Sequence, residues 1–294
     1  MVVAPLIVGL LLAAALMHAS WNALLKADRS DRLATFGVIM TTGTAMGVIA
    51  VPFLPLPAWG AWKFLVLSVI IHVAYYTFLL KAYSYGDLSH TYPIARGLGP
   101  LLVALVSGQL IGEHLRVQDI AGVLLLSGGL VTLAIPLKSA APRAGGRHGM
   151  ATLFAVLTGI TIAAYIIADG FGVRAAGPDF THRLAYIAWL CVLEGPWLLV
   201  LAIVLRPHTV WSHLKRYWWR GVMGGVIANT GYGIAIYALV LGPMAHVAAL
   251  RETSVLFGAL MGTLLLGEPF GRRRVAAACV IVTGLVLMNG PALL

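Results

Sequence analysis

Residues 89–132 read SHTYPIARGLGPLLVALVSGQLIGEHLRVQDIAGVLLLSGGLVT. This is an apolar helix with a polar head, a Gly112-Glu113 stop, and a second apolar helix carrying Gly128-Gly129. The layout returns near the C-terminus. Arg251 stands as far before Gly267-Glu268 as Arg96 stands before Gly112-Glu113, and Thr283-Gly284 follows at the distance of Gly128-Gly129. A repeat at this long period means that the chain holds two copies of one structural unit.

Composition places both copies in a membrane. Hydrophobic residues make up 60% of the chain and charged residues 10%, against about a quarter charged in soluble domains. Mean hydropathy is +0.93. The net charge of +10 does not point to nucleic acid, because most Lys and Arg fall in short links between apolar runs. Cys191 and Cys279 both fall inside apolar runs, with neither a disulfide framework nor a metal pattern. The first apolar run, residues 5–25, has its positive charge after it at Lys26, Arg29 and Arg32, so it is not expected to be a cleaved signal.

A membrane crossing needs about 20 apolar residues. Counted that way, ten spans lie near 4–26, 33–54, 61–82, 89–111, 118–137, 149–171, 183–205, 217–240, 244–266 and 273–291. The expected halves are residues 1–138 and 149–294, joined by a loop at 139–148. Five spans per half is odd, so the second half enters upside down, and matching residues meet near the midplane. Links after spans 1, 3, 5, 7 and 9 carry most of the basic residues, while the other side holds only Lys63, Arg116, Arg174 and Arg183. That bias predicts both termini outside the cytoplasm. Gly43 with Gly47, and Gly258 with Gly262, have the spacing that lets helix backbones approach closely.

Five charged residues fall inside spans: Arg96, Asp169, Glu194, Arg251 and Glu252. Each costs roughly 2.5–3.5 kcal/mol at a helix centre, so each needs a partner or a watery path. Arg96 and Arg251 either pair with span carboxylates and lock the bundle, or hold an anionic group bidentately. Tyr92 lies one turn before Arg96, and Pro93 and Pro100 predict irregularity in that span. His18, Trp21 and Asn22 share a face of span 1. Thr158, Thr161, Tyr165 and Asp169 form a stripe on span 6. His72 and Tyr76 share a face of span 3, as Asn229 and Tyr232 do on span 8. The tyrosines here are expected to line a cavity. Asp169, Glu194, Glu252 and His72 are the candidates for proton coupling or ion pairing; Asp169, near its span end, could equally be solvated. Glu194-Gly195-Pro196 interrupts span 7 and predicts a kink there.

The duplicated Gly112-Glu113 and Gly128-Gly129, Gly267-Glu268 and Thr283-Gly284, with the small residues from Gly258 to Gly262, resemble the drug/metabolite transporter superfamily of EamA type. The resemblance covers nearly the whole chain. It implies an all-α integral membrane bundle of ten helices, in two inverted five-helix repeats around a central cavity. Spans 1, 3, 4, 6, 8 and 9 should line that cavity, with 5 and 10 behind. Relatives of this type move amino acids, metabolites, nucleotide-related compounds or drugs, often outward. They commonly carry small or apolar residues where Arg96 and Arg251 stand, so these two arginines speak to this chain's own substrate.

The expected function is secondary transport, by alternating access across the inner or plasma membrane, of a small anionic or zwitterionic metabolite, an amino acid or organic acid. Arg96 and Arg251 would hold the anionic group. His18, Trp21, Asn22, Tyr76, Tyr92, Tyr165, Asn229 and Tyr232 would shape the rest of the substrate site. A second reading has Glu194 and Glu252 hold a cationic drug, with structural arginines. An enzyme is not expected: the chain has no His-Glu-x-x-His, no Gly-x-Ser-x-Gly and no Walker-type loop. No cofactor, metal or nucleic acid is expected. The partners are a small-molecule substrate and the lipid bilayer, and duplicated halves suffice for a cavity in a monomer.

Overall fold

The computed structural model describes residues 4–27, 32–86, 88–134, 147–266 and 271–293. The connecting loop therefore lies mostly outside the described residues, and so does Gly267-Glu268. Among the described residues there are helices and no strands. The first half holds α1 (Pro5–Ala27), α2 (Arg32–Ala50), α3 (Trp59–Tyr85), α4 (Leu88–Ile111) and α5 (Val117–Ala134). The second holds α6 (Arg147–Ala175), α7 (Phe180–Glu194), α8 (Trp197–Leu205), α9 (Pro207–Leu241), α10 (Met244–Arg251), α11 (Thr253–Leu266) and α12 (Arg272–Leu293). By length and hydropathy nine described segments can cross a membrane, and Val117–Leu133 is a shorter apolar helix.

Two crossings are broken. The first break is the expected one: α7 ends at Glu194, Gly195 turns the chain at a φ of +55°, and Pro196 caps α8. A positive φ suits glycine, and proline has no N–H to continue the ladder. The second break has no such signal. α10 stops at Arg251, the Glu252 N–H turns back to the Ala249 carbonyl at 3.0 Å, and α11 starts at Thr253. Tertiary contacts rather than local chemistry hold this break open. The reverse holds in α4, where Pro93 and Pro100 lie inside one helix without ending it. Neighbouring helices can satisfy the carbonyls a proline frees. α9 also begins at Pro207, well before the expected start near residue 217.

The halves interlace. α3 lies along α6 as α1 lies along α9; α4 meets α6 as α11 meets α1; and α5 lies along α12. These pairs exchange under the repeat, as an inverted duplication requires. The α5–α12 seam is built on glycine. A Cβ on Gly122 would stand 2.5 Å from the Gly284 carbonyl, and one on Gly284 would stand 2.5 Å from the Gly122 carbonyl. Gly43 and Gly47 seat α2 against α9 and α7, whereas Gly258 meets nothing within 4 Å. The outer surface is aliphatic, with Val66, Ile70, Leu105, Leu124, Val204 and Leu264 exposed to lipid. Trp59 at one end and Trp211, Trp218 and Trp219 at the other are exposed where an interfacial aromatic belt belongs.

Candidate substrate site at the bundle centre

The two repeat-related arginines have different surroundings. Arg96 is 6% exposed, and its Nε lies 2.9 Å from Glu252 Oε2, itself on a residue only 2% exposed. Arg96 Nη2 donates to Ser254 Oγ at 2.9 Å and to the Arg251 carbonyl at 3.4 Å. The guanidinium thus closes the C-terminal end of α10, where helix carbonyls lack partners and the dipole is negative. Arg251 is half-buried, and its Cζ lies 5.5 Å from the centroid of the Tyr232 ring. Among the described residues no carboxylate lies within ion-pair distance of it. Arg251, Arg96, His18 and Tyr232 border a cavity of about 20 Å³, floored by Ala14, Ala15, Gly231 and Ala235. That is room for about one water-sized group. The helices must part before a metabolite enters.

Beside this cavity lies a chain of buried polar groups. Tyr232 donates to Asp169 Oδ2 at 2.6 Å, and its oxygen is 3.2 Å from His72 Nε2. His72 Nδ1 is 2.9 Å from the Ser68 carbonyl and 3.1 Å from Glu194 Oε1. Tyr186 donates to Asp169 Oδ1 at 3.2 Å. Asp169 is 1% exposed and Glu194 8%. The helix break at Gly195 leaves Glu194 as the last residue of α7, deep in the bundle. Aromatic rings enclose the chain: Tyr165 stacks on His72 at 4.4 Å, and Tyr75 and Tyr76 meet it at 6.3 and 6.1 Å. Tyr76 continues to Trp197 and Phe36, and Phe36 stacks on Trp21.

The far end of α10 is held by the first half. Gly112 ends α4 at a φ of +70°, the left-handed cap that glycine provides. Glu113 then turns to the other repeat, and its Oε1 accepts the Met244 N–H at 2.9 Å, at the first turn of α10. Arg174 Nη2 is 3.7 Å from the same oxygen and also donates to the Gly242 carbonyl. His246, two residues further into the first turn, lies 3.3 Å from Asp119, which Arg116 grips with both Nε and Nη2. That hydrogen bonding raises the Arg116 guanidinium above its ordinary value. All of residues 244–250 are buried, while α1 is half-exposed along residues 20–25. The cavity is therefore sealed on the α10 side. Replacing Glu113 by alanine should cost about 0.5–2 kcal/mol, the range for a lost helix N-cap. Glu113→Gln keeps an acceptor and should cost less. Thermal midpoints in detergent measure both.

Residues 149–290 match the family model of the EamA-like transporter family. The second half is thus an EamA-like transporter domain. The first half repeats its spacing. An uncharacterized protein of Pseudomonas aeruginosa is 27% identical over 254 residues, covering 81% of this chain and 76% of that protein. A WAT1-related chloroplastic protein of Arabidopsis thaliana is 22% identical over 197 residues, 65% of this chain and 46% of that protein. The chain thus spans about half the length of this second relative. One solved crystal structure, 21% identical and covering 98% of this chain and 96% of its own, has a TM-score of 0.74. At that identity the likeness is one of fold.

The residues singled out from sequence separate by position. His18, Arg96, Arg251 and Tyr232 border the central cavity. Tyr76, Tyr165, His72, Asp169 and Glu194 meet in the buried polar chain and its aromatic shell. Asp169 is fully buried rather than solvated at a span end. Trp21 donates to His18 Nδ1 at 3.4 Å. Asn22 instead donates to the His18 carbonyl of its own helix at 2.8 Å. Asn229 donates to the Gly225 and Ile39 carbonyls where α9 packs on α2, outside the central cavity. Tyr92 is half-buried on α4, one turn before Arg96. Ser68, Tyr186 and Ser254 were not foreseen. Ser68 stands one turn before His72, a spacing that could have revealed it; Tyr186 and Ser254 join the site only through tertiary contacts.

Proposed function

We propose that the chain is a secondary transporter of a small anionic or zwitterionic metabolite, of the amino acid or organic acid class. It works by alternating access across the inner or plasma membrane, as a monomer with both termini outside the cytoplasm. The observation that carries the substrate class is the difference between the two arginines. Arg96 is paired with Glu252, whereas Arg251 borders the cavity over a tyrosine ring, with no carboxylate at ion-pair distance among the described residues. A guanidinium without an ion pair of its own in a low-dielectric pocket favours a carboxylate, which it can hold by paired N–H bonds. His18 offers a further polar contact, and the tyrosines supply an apolar wall. Arg96 then belongs to the framework and Arg251 to the substrate.

The test is thermal stabilisation of the purified protein by three matched probes: L-leucine, isocaproate (the same skeleton without the ammonium) and isoamylamine (without the carboxylate). Saturation at 100 times Kd should add about 2.7 kcal/mol. L-leucine or isocaproate should stabilise the parent, and Arg251→Ala should weaken that binding by roughly 10- to 150-fold, for a charged hydrogen bond worth about 1.5–3 kcal/mol. The buried carboxylates Asp169 and Glu194 amid tyrosines favour a cationic substrate as the second reading. Stabilisation by isoamylamine alone, undiminished in Arg251→Ala, would replace the first reading with that one. Alkaline phosphatase fused after Leu294 should be active if the C-terminus lies outside.

A further inference from the structure

We propose that His72, Tyr232 and Asp169 form a proton relay, and that its proton travels with the anion held by Arg251. The inference rests on the anionic reading of the site, and it starts from the donor count of three side chains. A tyrosine hydroxyl has one proton to give. At 2.6 Å the Tyr232 hydroxyl gives it to Asp169 Oδ2, so its oxygen must accept from His72 Nε2–H at 3.2 Å. His72 Nδ1 faces the Ser68 carbonyl at 2.9 Å, and a carbonyl only accepts, so Nδ1 holds a proton too. Every contact is met when His72 is an imidazolium between the Glu194 and Asp169 carboxylates.

A second arrangement meets the same contacts with the same protons. The His72 Nε2–H bond breaks and its proton bonds to the Tyr232 oxygen. The original Tyr232 O–H bond breaks and that proton bonds to Asp169 Oδ2. His72 is now neutral with Nδ1 protonated, Asp169 is a carboxylic acid donating to Tyr232, and Tyr232 donates to Nε2. Removing the proton altogether leaves one of three contacts without a hydrogen: His72 Nδ1 to the Ser68 carbonyl, Tyr232 to Asp169, or His72 Nε2 to Tyr232. The chain is built to hold one proton in two places.

The surrounding groups decide what changes its occupancy. Tyr186 faces Asp169 from α7, Tyr165 and Tyr76 face His72, and Glu194 ends α7 beside it. Arg96 from α4 is occupied by Glu252. That leaves Arg251 from α10, 5.5 Å from the centroid of the Tyr232 ring, as the cation whose field reaches the Tyr232–Asp169 pair. A carboxylate bound to Arg251 cancels that field and adds a negative charge. Both effects favour keeping the relay proton. Anion and proton therefore bind together, and a monoanion crosses without net charge.

The experiment uses the full-length protein in lipid nanodiscs, in weak buffer with a pH indicator. At a pH above the unliganded relay's own titration, isocaproate should raise the bulk pH as the parent takes up about one proton per bound anion, by charge balance within a low-dielectric site. Asp169→Asn should still be stabilised by isocaproate but take up no proton. Binding to the parent without proton uptake, or unchanged uptake in Asp169→Asn, would overturn the proposal. If isocaproate does not bind the parent, the anionic reading fails, and the relay is read alone by infrared difference spectra between acid and neutral pH. A carboxylic-acid band missing in Asp169→Asn, together with a tyrosine band missing in Tyr232→Phe, supports the relay; a parent without both bands sinks it.

Discussion

Replacing Arg96 by alanine will lower stability by about 3–5 kcal/mol, the range seen when one partner of a buried ion pair is removed. Glu252 would remain only 2% exposed without its ion-pair partner, and the last carbonyl of α10 would lose its donor. Against a total stability of about 5–15 kcal/mol for a typical folded domain, that loss is large. The cause is an unpaired buried carboxylate, so removing the charge from both partners should restore most of the loss. The double variant Arg96→Met with Glu252→Gln should recover to within about 1–2 kcal/mol of the parent. Denaturation midpoints of the three proteins in the same detergent decide it. A single variant as stable as the parent would show that the pair does not hold the break in span 9.

The second large effect lies at the α5–α12 seam. Gly284→Leu places a Cβ 2.5 Å from the Gly122 carbonyl and 2.8 Å from the Leu126 nitrogen. Both obstacles are backbone, so no side chain can swing away and the helices must separate. Overpacking usually costs about 1–3 kcal/mol, and a backbone obstacle belongs at or above the upper end. Gly128→Leu is the matched control, because nothing lies within 4 Å of its added Cβ. Gly284→Leu should give little monodisperse protein on size-exclusion chromatography, and Gly128→Leu should behave as the parent does. Similar yields from both would show that the close approach is not required.

The sequence already contained the crossings, the duplication and the expected helix-ending role of Gly112, because these depend on hydropathy and local chemistry. It also contained the residues that meet at the centre, because a charge inside an apolar span must be accounted for. It did not reveal which of two equivalent arginines is paired. Arg96 and Arg251 hold matching repeat positions, and only the tertiary position of Glu252 shows which of them it pairs with. Nor did it reveal the break after Arg251, where neither glycine nor proline stands. Asn22 and Asn229 look alike in sequence to cavity-lining amides, but each spends its N–H groups on backbone carbonyls. The Glu113 cap joins residues far apart in sequence, so helix-end rules identified the turn without its partner.

The interlacing of the halves has a consequence for synthesis. Among the described residues of the first half only α4 and α5 share an extensive surface; α1, α2 and α3 find their main neighbours among α6 to α11. When the ribosome has released the first five helices, most of their eventual contacts do not yet exist. Arg96 is then in the bilayer before Glu252 has been translated. The nascent half must wait as loosely associated helices, with its costly charge shielded by lipid headgroups, water or the insertion machinery. The fold closes only as the last helices arrive, so a chain that stops early is left without a core.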